Sequence, residues 1–303
     1  MPHDFAAWLP NEELLTIDEL LTVIEVAVSE GIEEVRLTGG EPLLRPDIVE
    51  IVSRISALSN APKLSLTTNG LRLDELAQPL ADAGLIRINV SLDTLQRDRF
   101  KAMTFRDRIA DVFKGLKAAQ AAGLTPIKIN SVLMRGVNDD EAPALLAWAL
   151  ENNFSLRFIE QMPLDAGGIW NRATMVNADE IFAALSSHYL LSPAPARGSA
   201  PAEEFIINGG SERVGIIASV TRPFCGACDR LRLTSDGQLR SCLFSLEEMD
   251  LRKVLRNSEL SSSEIHSEIS SRFHKTVLGK LPGHAINDLN FIQPSRPMSA
   301  IGG

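Results

Sequence analysis

The chain has 303 residues, 45% of them hydrophobic, and sets 30 Lys and Arg against 39 Asp and Glu, for a formal charge of −9. That length supports one large domain, or a domain with a smaller appendage, and buries a full core without disulfide staples. The acidic balance excludes bulk binding to nucleic acid or anionic membrane, whose phosphates would repel the chain, so an anionic ligand must be met by a local cluster of Arg and Lys.

The opening residues, MPHDFAAWLPNEELL, lack the basic and apolar regions of a signal peptide, and no run of about eighteen apolar residues follows, so the chain reads as cytosolic. Thr16-Ile17-Asp18-Glu19 fits the S/T-x-x-E capping box, and the apolar spacing predicts a helix from Ile17 to Ser29 that Gly31 ends. Short apolar or β-branched runs then appear at VRLT (Val35 to Thr38), KLSLTT (Lys63 to Thr68), RINVSL (Arg87 to Leu92), IKINSVLM (Ile127 to Met134) and LRFIEQM (Leu156 to Met162). Each is followed by a helical segment, and this alternation predicts a parallel sheet with covering helices. Ligands in such folds sit beyond the carboxyl ends of the strands. Those ends read TGGEP (38 to 42), TTNG (67 to 70), SLDT (91 to 94), MRGVNDD (134 to 140) and MPLDAGG (162 to 168). A lone GG or NG is ordinarily a turn. Recurrence at corresponding positions of five repeats points instead to a shared site.

From about Pro193 the composition changes, SPAPARGSAPAEE reading as a linker or exposed loop. In the smaller unit that follows, EFIIN, VGIIAS and RLRLT read as strands, TSDGQLRSC as a hairpin turning at Asp236-Gly237, and the segments after Glu247 and Ser262 as helices. This unit holds all three cysteines, Cys225, Cys228 and Cys242, spaced C-x2-C and then thirteen residues to the third. An odd count in a reducing compartment favours metal binding over a disulfide. A structural zinc would ask for four closed ligands, and His188, His266, His274 and His284 have no motif spacing to the cysteines. A cluster held by three cysteines would leave one iron open to another ligand. Arg230-Leu231-Arg232 alternates along a predicted strand, pointing both guanidinium groups to one face as a phosphate grip.

The combination of LTGGEP, TTNG, NVSLD, the VNDDE loop, FIEQMP, C-x2-C-x13-C with R-x-R inside it, and a terminal SAIGG resembles the MoaA family along essentially the whole chain. These are the radical S-adenosylmethionine (SAM) GTP 3′,8-cyclases of molybdenum cofactor biosynthesis. TGGEP alone indicates only a radical SAM enzyme, whereas CDRLRLT with the cysteine pattern and the GG tail is specific. The resemblance implies an incomplete (βα)6 TIM-type barrel over residues 1–192 and a smaller α+β iron-sulfur and GTP-binding region over 193–303. It implies a 4Fe-4S cluster on Cys225, Cys228 and Cys242 that binds the guanine, SAM contacts at Gly40, Ser91 and Met162, and GTP contacts at Arg36, Thr67, Lys128, Arg230, Leu231 and Arg232. The tail, Gly302 and Gly303, would reach into the active site. A 5′-deoxyadenosyl radical would take hydrogen from the ribose C3′, and the carbon radical would attack C8 of the base. An electron donor, a downstream cyclic pyranopterin monophosphate synthase and a homodimer are further implied partners.

One departure stands out. The family's C-x3-C-x2-C loop, which holds the SAM-cleaving 4Fe-4S cluster, is absent. Met1 is expected to follow the third cysteine of that loop, so the barrel would lack its first strand, expose a sheet edge and fail to cleave SAM as written. Two alternatives stay open: a non-catalytic relative that binds GTP or an iron-sulfur cluster, and a structural module clipped by zinc.

Overall fold

The computed structural model describes residues 9–165, 168, 170–284, 286–287 and 291–302. The capping box acts as read: the Glu19 N–H donates to Thr16 Oγ1 at 3.2 Å, and the Thr16 N–H donates to Glu19 Oε2 at 2.8 Å, starting α1 (Ile17–Ser29). Strands and helices then alternate through β1 (Glu34–Leu37), α2 (Ile48–Ser56), β2 (Lys63–Thr68), α3 (Leu73–Asp82) and β3 (Arg87–Ser91). Next come α4 (Arg97–Thr104), α5 (Ile109–Ala121), β4 (Lys128–Val132), α6 (Ala142–Glu151), β5 (Ser155–Ile159) and α7 (Ala178–Ser186). A hairpin of β6 (Leu191–Pro193) and β7 (Glu203–Ile207) leads into β8 (Arg213–Ile217). The chain ends with β9 (Arg232–Leu233), β10 (Gln238–Arg240), β11 (Met249–Asp250), α8 (Leu251–Leu255), α9 (Ser262–Leu278) and α10 (Met298–Ile301).

The main sheet runs β1-β2-β3-β4-β5-β8-β7-β6, with β1 to β5 and β8 mutually parallel and β7 and β6 antiparallel at one edge. The fold is thus mixed α/β around a large parallel sheet. EFIIN and VGIIAS, expected in the smaller unit, belong to this sheet instead. Val214 and Ile216 are fully buried and continue its apolar layer, and the Pro- and Ser-rich stretch is the loop of the β6–β7 hairpin. Burial outweighs the composition shift that suggested a boundary there.

Register fixes two unlike faces. Arg36 pairs with Ser65 and Ser65 with Arg87; Thr67 pairs with Asn89 and Asn89 with Lys128; Asn130 pairs with Arg157 and Arg157 with Gly215. Side chains alternate along a strand, so all of these share one polar face. The opposite face carries Leu64, Leu66, Ile88, Val90, Ile129, Leu156, Phe158, Val214 and Ile216, all in the core that α2, α3, α5, α6 and α7 cover. Buried side chains of this size each stabilise the fold by roughly 1.5–3 kcal/mol.

A second, three-stranded sheet orders as β11-β10-β9. Its hairpin turns at Asp236-Gly237 as read, with the Gly237 N–H donating to the Thr234 carbonyl at 2.9 Å and Gly237 at φ +83. Helix α1 serves both sheets: Leu21 and Ile24 join the main core, while Val23, Val26 and Ala27 pack with Leu239, Leu251, Val254, Ile269 and Phe273. Among the described residues no helix is long and apolar enough to cross a membrane.

Candidate active site

Buried or half-buried carboxylates fasten the loops beyond the strand ends. Glu41 of TGGEP accepts from Thr68 Oγ1 at 2.6 Å, the Asn69 N–H at 2.8 Å and the Leu43 N–H at 3.1 Å, tying the end of β1 to TTNG. Glu141 of VNDDE accepts from Thr94 Oγ1 at 2.6 Å, Arg99 Nη1 at 2.8 Å and the Leu95 N–H at 2.9 Å, tying that loop to SLDT. Glu160, fully buried, accepts from the N–H groups of Ala178, Val220 and Thr221, each at 2.8 Å. Gly39, at φ +133, makes the turn that a side chain would strain. Much of what looks like site chemistry in these motifs is therefore loop architecture.

Within that frame the residues divide into two levels. Gly40 lies just past β1, Ser91 ends β3 and Met162 lies just past β5, which makes one row at the carboxyl ends of the strands. Gly40 and Ser91 are exposed, and Met162 packs on the apolar cluster of Leu164, Met175, Val220, Phe244, Ile286 and Ile301. Arg36, Thr67 and Lys128 lie within the strands, on the polar face. Thr67 Oγ1 accepts from Asn89 Nδ2 at 3.1 Å, and Asn130 Oδ1 is buried on the same face with no hydrogen-bond partner among the described residues.

Two cations unassigned from the motifs, Arg87 and Arg157, join them. Strand pairing puts them on the face of Arg36 and Lys128, Arg87 opposite Ser65 and Arg157 opposite Asn130. Gly215 makes room for Arg157: a Cβ there would stand 3.1 Å from Arg157 Cγ. The concentration of like charge shows in the titration. Burial, then the charges of Arg157 and Arg87, push Lys128 down to about 8. Burial followed by neighbouring cations lowers Arg36 and Arg157 too, although the Arg36 side chain is still open to water. Burial pushes the nearby Asp93 carboxyl up to about 6, against the opposing Val132 N–H at 2.8 Å.

The cysteines lie beyond this face. Cys225 and Cys228 bracket a tight turn, with the Cys228 N–H donating to the Cys225 carbonyl at 3.1 Å, and Cys242 follows β10. All three are free thiols of intermediate exposure. Burial, then the charges of Cys242 and Cys228, push Cys225 up. Burial pushes Cys228 up as well, but the Arg230 N–H groups and the charges of Arg230 and Lys280 outweigh it and hold its thiol below the usual range. Arg230 Nη2 donates to Cys228 Sγ at 3.3 Å, and its guanidinium stacks 4.7 Å from the Phe224 ring centroid. Leu231 turns its side chain into the apolar cluster beneath the small sheet, leaving its backbone for any ligand. Arg232 Nη1 donates to the Gly302 carbonyl, and burial lowers its pKa to about 10, opposed by the charge of Cys242 and assisted by those of Arg230 and Arg36.

The tail thus lies against both halves. Gly302 sits at φ +76, where a Cβ would stand 2.7 Å from Thr38 Oγ1 beside TGGEP. Cys242, Met162 and Met298 pack on one apolar cluster. Gly303, residues 1–8 with Met1, and Ala166 and Gly167 of the fifth loop lie outside the described residues. Among the described residues no three His, Cys, Asp or Glu side chains stand together as a single-ion site. A 4Fe-4S cluster spaces its thiolates more widely than one ion does, and three thiols flanked by cations suit an anionic cluster.

The Radical SAM superfamily model matches residues 4–149, and the Molybdenum Cofactor Synthesis C model matches residues 154–285. A GTP 3′,8-cyclase of Streptomyces coelicolor is 56% identical over 306 residues, covering 100% of this chain and 88% of that protein. GTP 3′,8-cyclase 2 of Mycobacterium tuberculosis is 50% identical over 309 residues, covering 100% of this chain and 84% of that protein. Among solved structures, TYW1 with a lysine-pyruvate adduct bound aligns over 57% of this chain and 62% of that chain, at TM-score 0.42 and 16% identity, too distant to carry an argument.

Proposed function

The chain belongs to the GTP 3′,8-cyclase family of radical SAM proteins, and we propose that it acts in the conversion of GTP to 3′,8-cyclo-7,8-dihydro-GTP for molybdenum cofactor synthesis. The observation that carries this reading is the polar face: Arg36, Lys128 and Arg157 crowd one side of a sheet in a chain of charge −9, next to three thiols, with Arg87 beside them paired to Glu34 at 2.7 Å. Like charges are held together at a cost in stability, which a triphosphate would offset. Six parallel strands with helices on one face and charge on the other read as a partial (βα)6 barrel wall. In this reading residues 1–192 supply most of the barrel, and residues 193–303 complete its sheet and carry the cysteines and the tail.

The roles follow the two levels. Gly40, Ser91 and Met162, at the strand ends, hold SAM, with backbone and small polar groups suited to its aminocarboxylate end. Arg36, Lys128, Arg157 and Arg232 grip the triphosphate, and Thr67 with Asn89 supplies neutral hydrogen bonds between them. Asn130 Oδ1, buried and unpaired among the described residues, is an acceptor in want of a donor. Cys225, Cys228 and Cys242 would hold a 4Fe-4S cluster that supplies, when bound, one iron with an open position for the guanine. Arg232 is occupied by the Gly302 carbonyl, so phosphate contact there requires the tail to shift. None of the 303 residues supplies a second trio of thiolates, so cleavage of SAM is assigned to ligands outside these residues. An electron donor and cyclic pyranopterin monophosphate synthase are the remaining partners of this reading.

The test is anaerobic reconstitution followed by iron and acid-labile sulfide analysis and GTP binding. Iron and sulfide in equal amounts, lost in Cys225→Ala, support the assignment. Zinc without sulfide overturns it. SAM turnover should be negligible for the chain as given and should appear when a C-x3-C-x2-C segment is fused upstream; failure to appear would favour a non-catalytic relative.

A further inference from the structure

The segment leaving α9 passes over the cysteine loops. Lys280 Nζ donates to the Arg230 carbonyl at 2.5 Å and to the Ser241 carbonyl at 2.9 Å. The first carbonyl lies two residues after Cys228, the second one residue before Cys242. One ammonium therefore ties together the two arms of chain that carry these thiols. His284 fastens the far end of the same segment, its Nε2 2.9 Å from the Ser219 carbonyl and its ring 4.6 Å from that of Phe244, while its backbone amide faces the Cys225 sulfur.

The charge at Lys280 lacks an ordinary partner. The chain has 39 acidic residues, yet among the described residues no carboxylate forms an ion pair with this half-buried ammonium. Among the described residues it meets carbonyl dipoles, which leave its net charge uncompensated. The anion within its electrostatic reach is the Cys228 sulfur, which Arg230 also contacts.

We propose that Lys280 is a positioning residue of the three-cysteine centre: it fixes the spacing of the arms bearing Cys228 and Cys242, and its charge balances the anionic cluster they bind. The inference rests on the cluster reading above. Ligand-orienting partners of this kind typically matter about 10–100-fold in metal affinity. A positive charge beside a cluster also favours the more negative, reduced state.

The experiment uses the full chain, anaerobically reconstituted, as wild type, Lys280→Arg, Lys280→Gln and Lys280→Met. Iron release to a chelator and the cluster midpoint potential, followed by electron paramagnetic resonance, are the readouts. Lys280→Met is expected to release iron about tenfold faster and to titrate at a more negative potential. Lys280→Gln keeps a donor without the charge and should shift the potential with a smaller effect on release, while Lys280→Arg should restore both. A wild-type chain that holds the cluster while all three variants match it overturns this inference alone. A wild-type chain that takes up neither iron nor sulfide overturns the cluster reading and this inference with it.

Discussion

Lys128 sets a pH window of its own. Its folded pKa of about 8 lies below the ordinary lysine value of about 10.4, so between the two the unfolded chain binds more protons than the folded one. Stability without ligand should therefore rise with pH across that window, and Lys128→Met should flatten the rise in thermal melts; an identical slope in the two proteins would contradict the assignment. GTP affinity should move the opposite way, falling as pH rises through about 8, and Lys128→Arg should remove the dependence. Arg36, Thr67 and Lys128 were legible from family motifs. Arg87 and Arg157 were legible only from strand register, because nothing local marks an arginine on a floor. Leu231 shows the reverse limit: the R-x-R motif names it, but alternation sends its side chain into the apolar core.

At the scale of elements, the carboxylate clamps matter most. Glu41→Gln leaves Thr68 Oγ1, the Asn69 N–H and the Leu43 N–H with a weaker acceptor, and should cost roughly 1–3 kcal/mol in urea unfolding. The tail has its own anchor: Arg296 pairs with both oxygens of Asp236 at 2.9 and 3.0 Å and with Glu248 at 3.1 Å, while the Met298 N–H donates to the Leu164 carbonyl at 2.8 Å. Arg296→Gln should speed hydrogen exchange over residues 298–302 while leaving protection of the main sheet unchanged. Equal protection of the tail in both proteins would mean that the apolar contacts of Ile301 suffice. The capping box of α1 and the Asp236-Gly237 turn were readable because their determinants lie within four residues. The place of β8 was not, because its partner β5 lies 58 residues earlier in the chain and only packing selects it.

For the molecule as a whole, β8 and α1 join what composition separates. Since β8 lies inside the main sheet between β5 and β7 and α1 packs on both cores, unfolding should be a single cooperative transition. Circular dichroism and tryptophan fluorescence should give coincident denaturation curves. Two resolved transitions would show that the regions before and after residue 193 fold separately. The same continuity lets one small apolar cluster hold Met162 beyond β5, Cys242 and the tail helix α10 together.

The central claim is that the cationic floor and the three-thiol centre form one GTP site. It is tested most directly by equilibrium binding of GTP to the anaerobically reconstituted chain, compared with Cys242→Ala and with Arg157→Ala. Either substitution should weaken binding at least tenfold, since in the proposed site one removes a ligand of the centre that would meet the base and the other a phosphate contact. Wild-type affinity in both variants would contradict it and place any GTP site elsewhere.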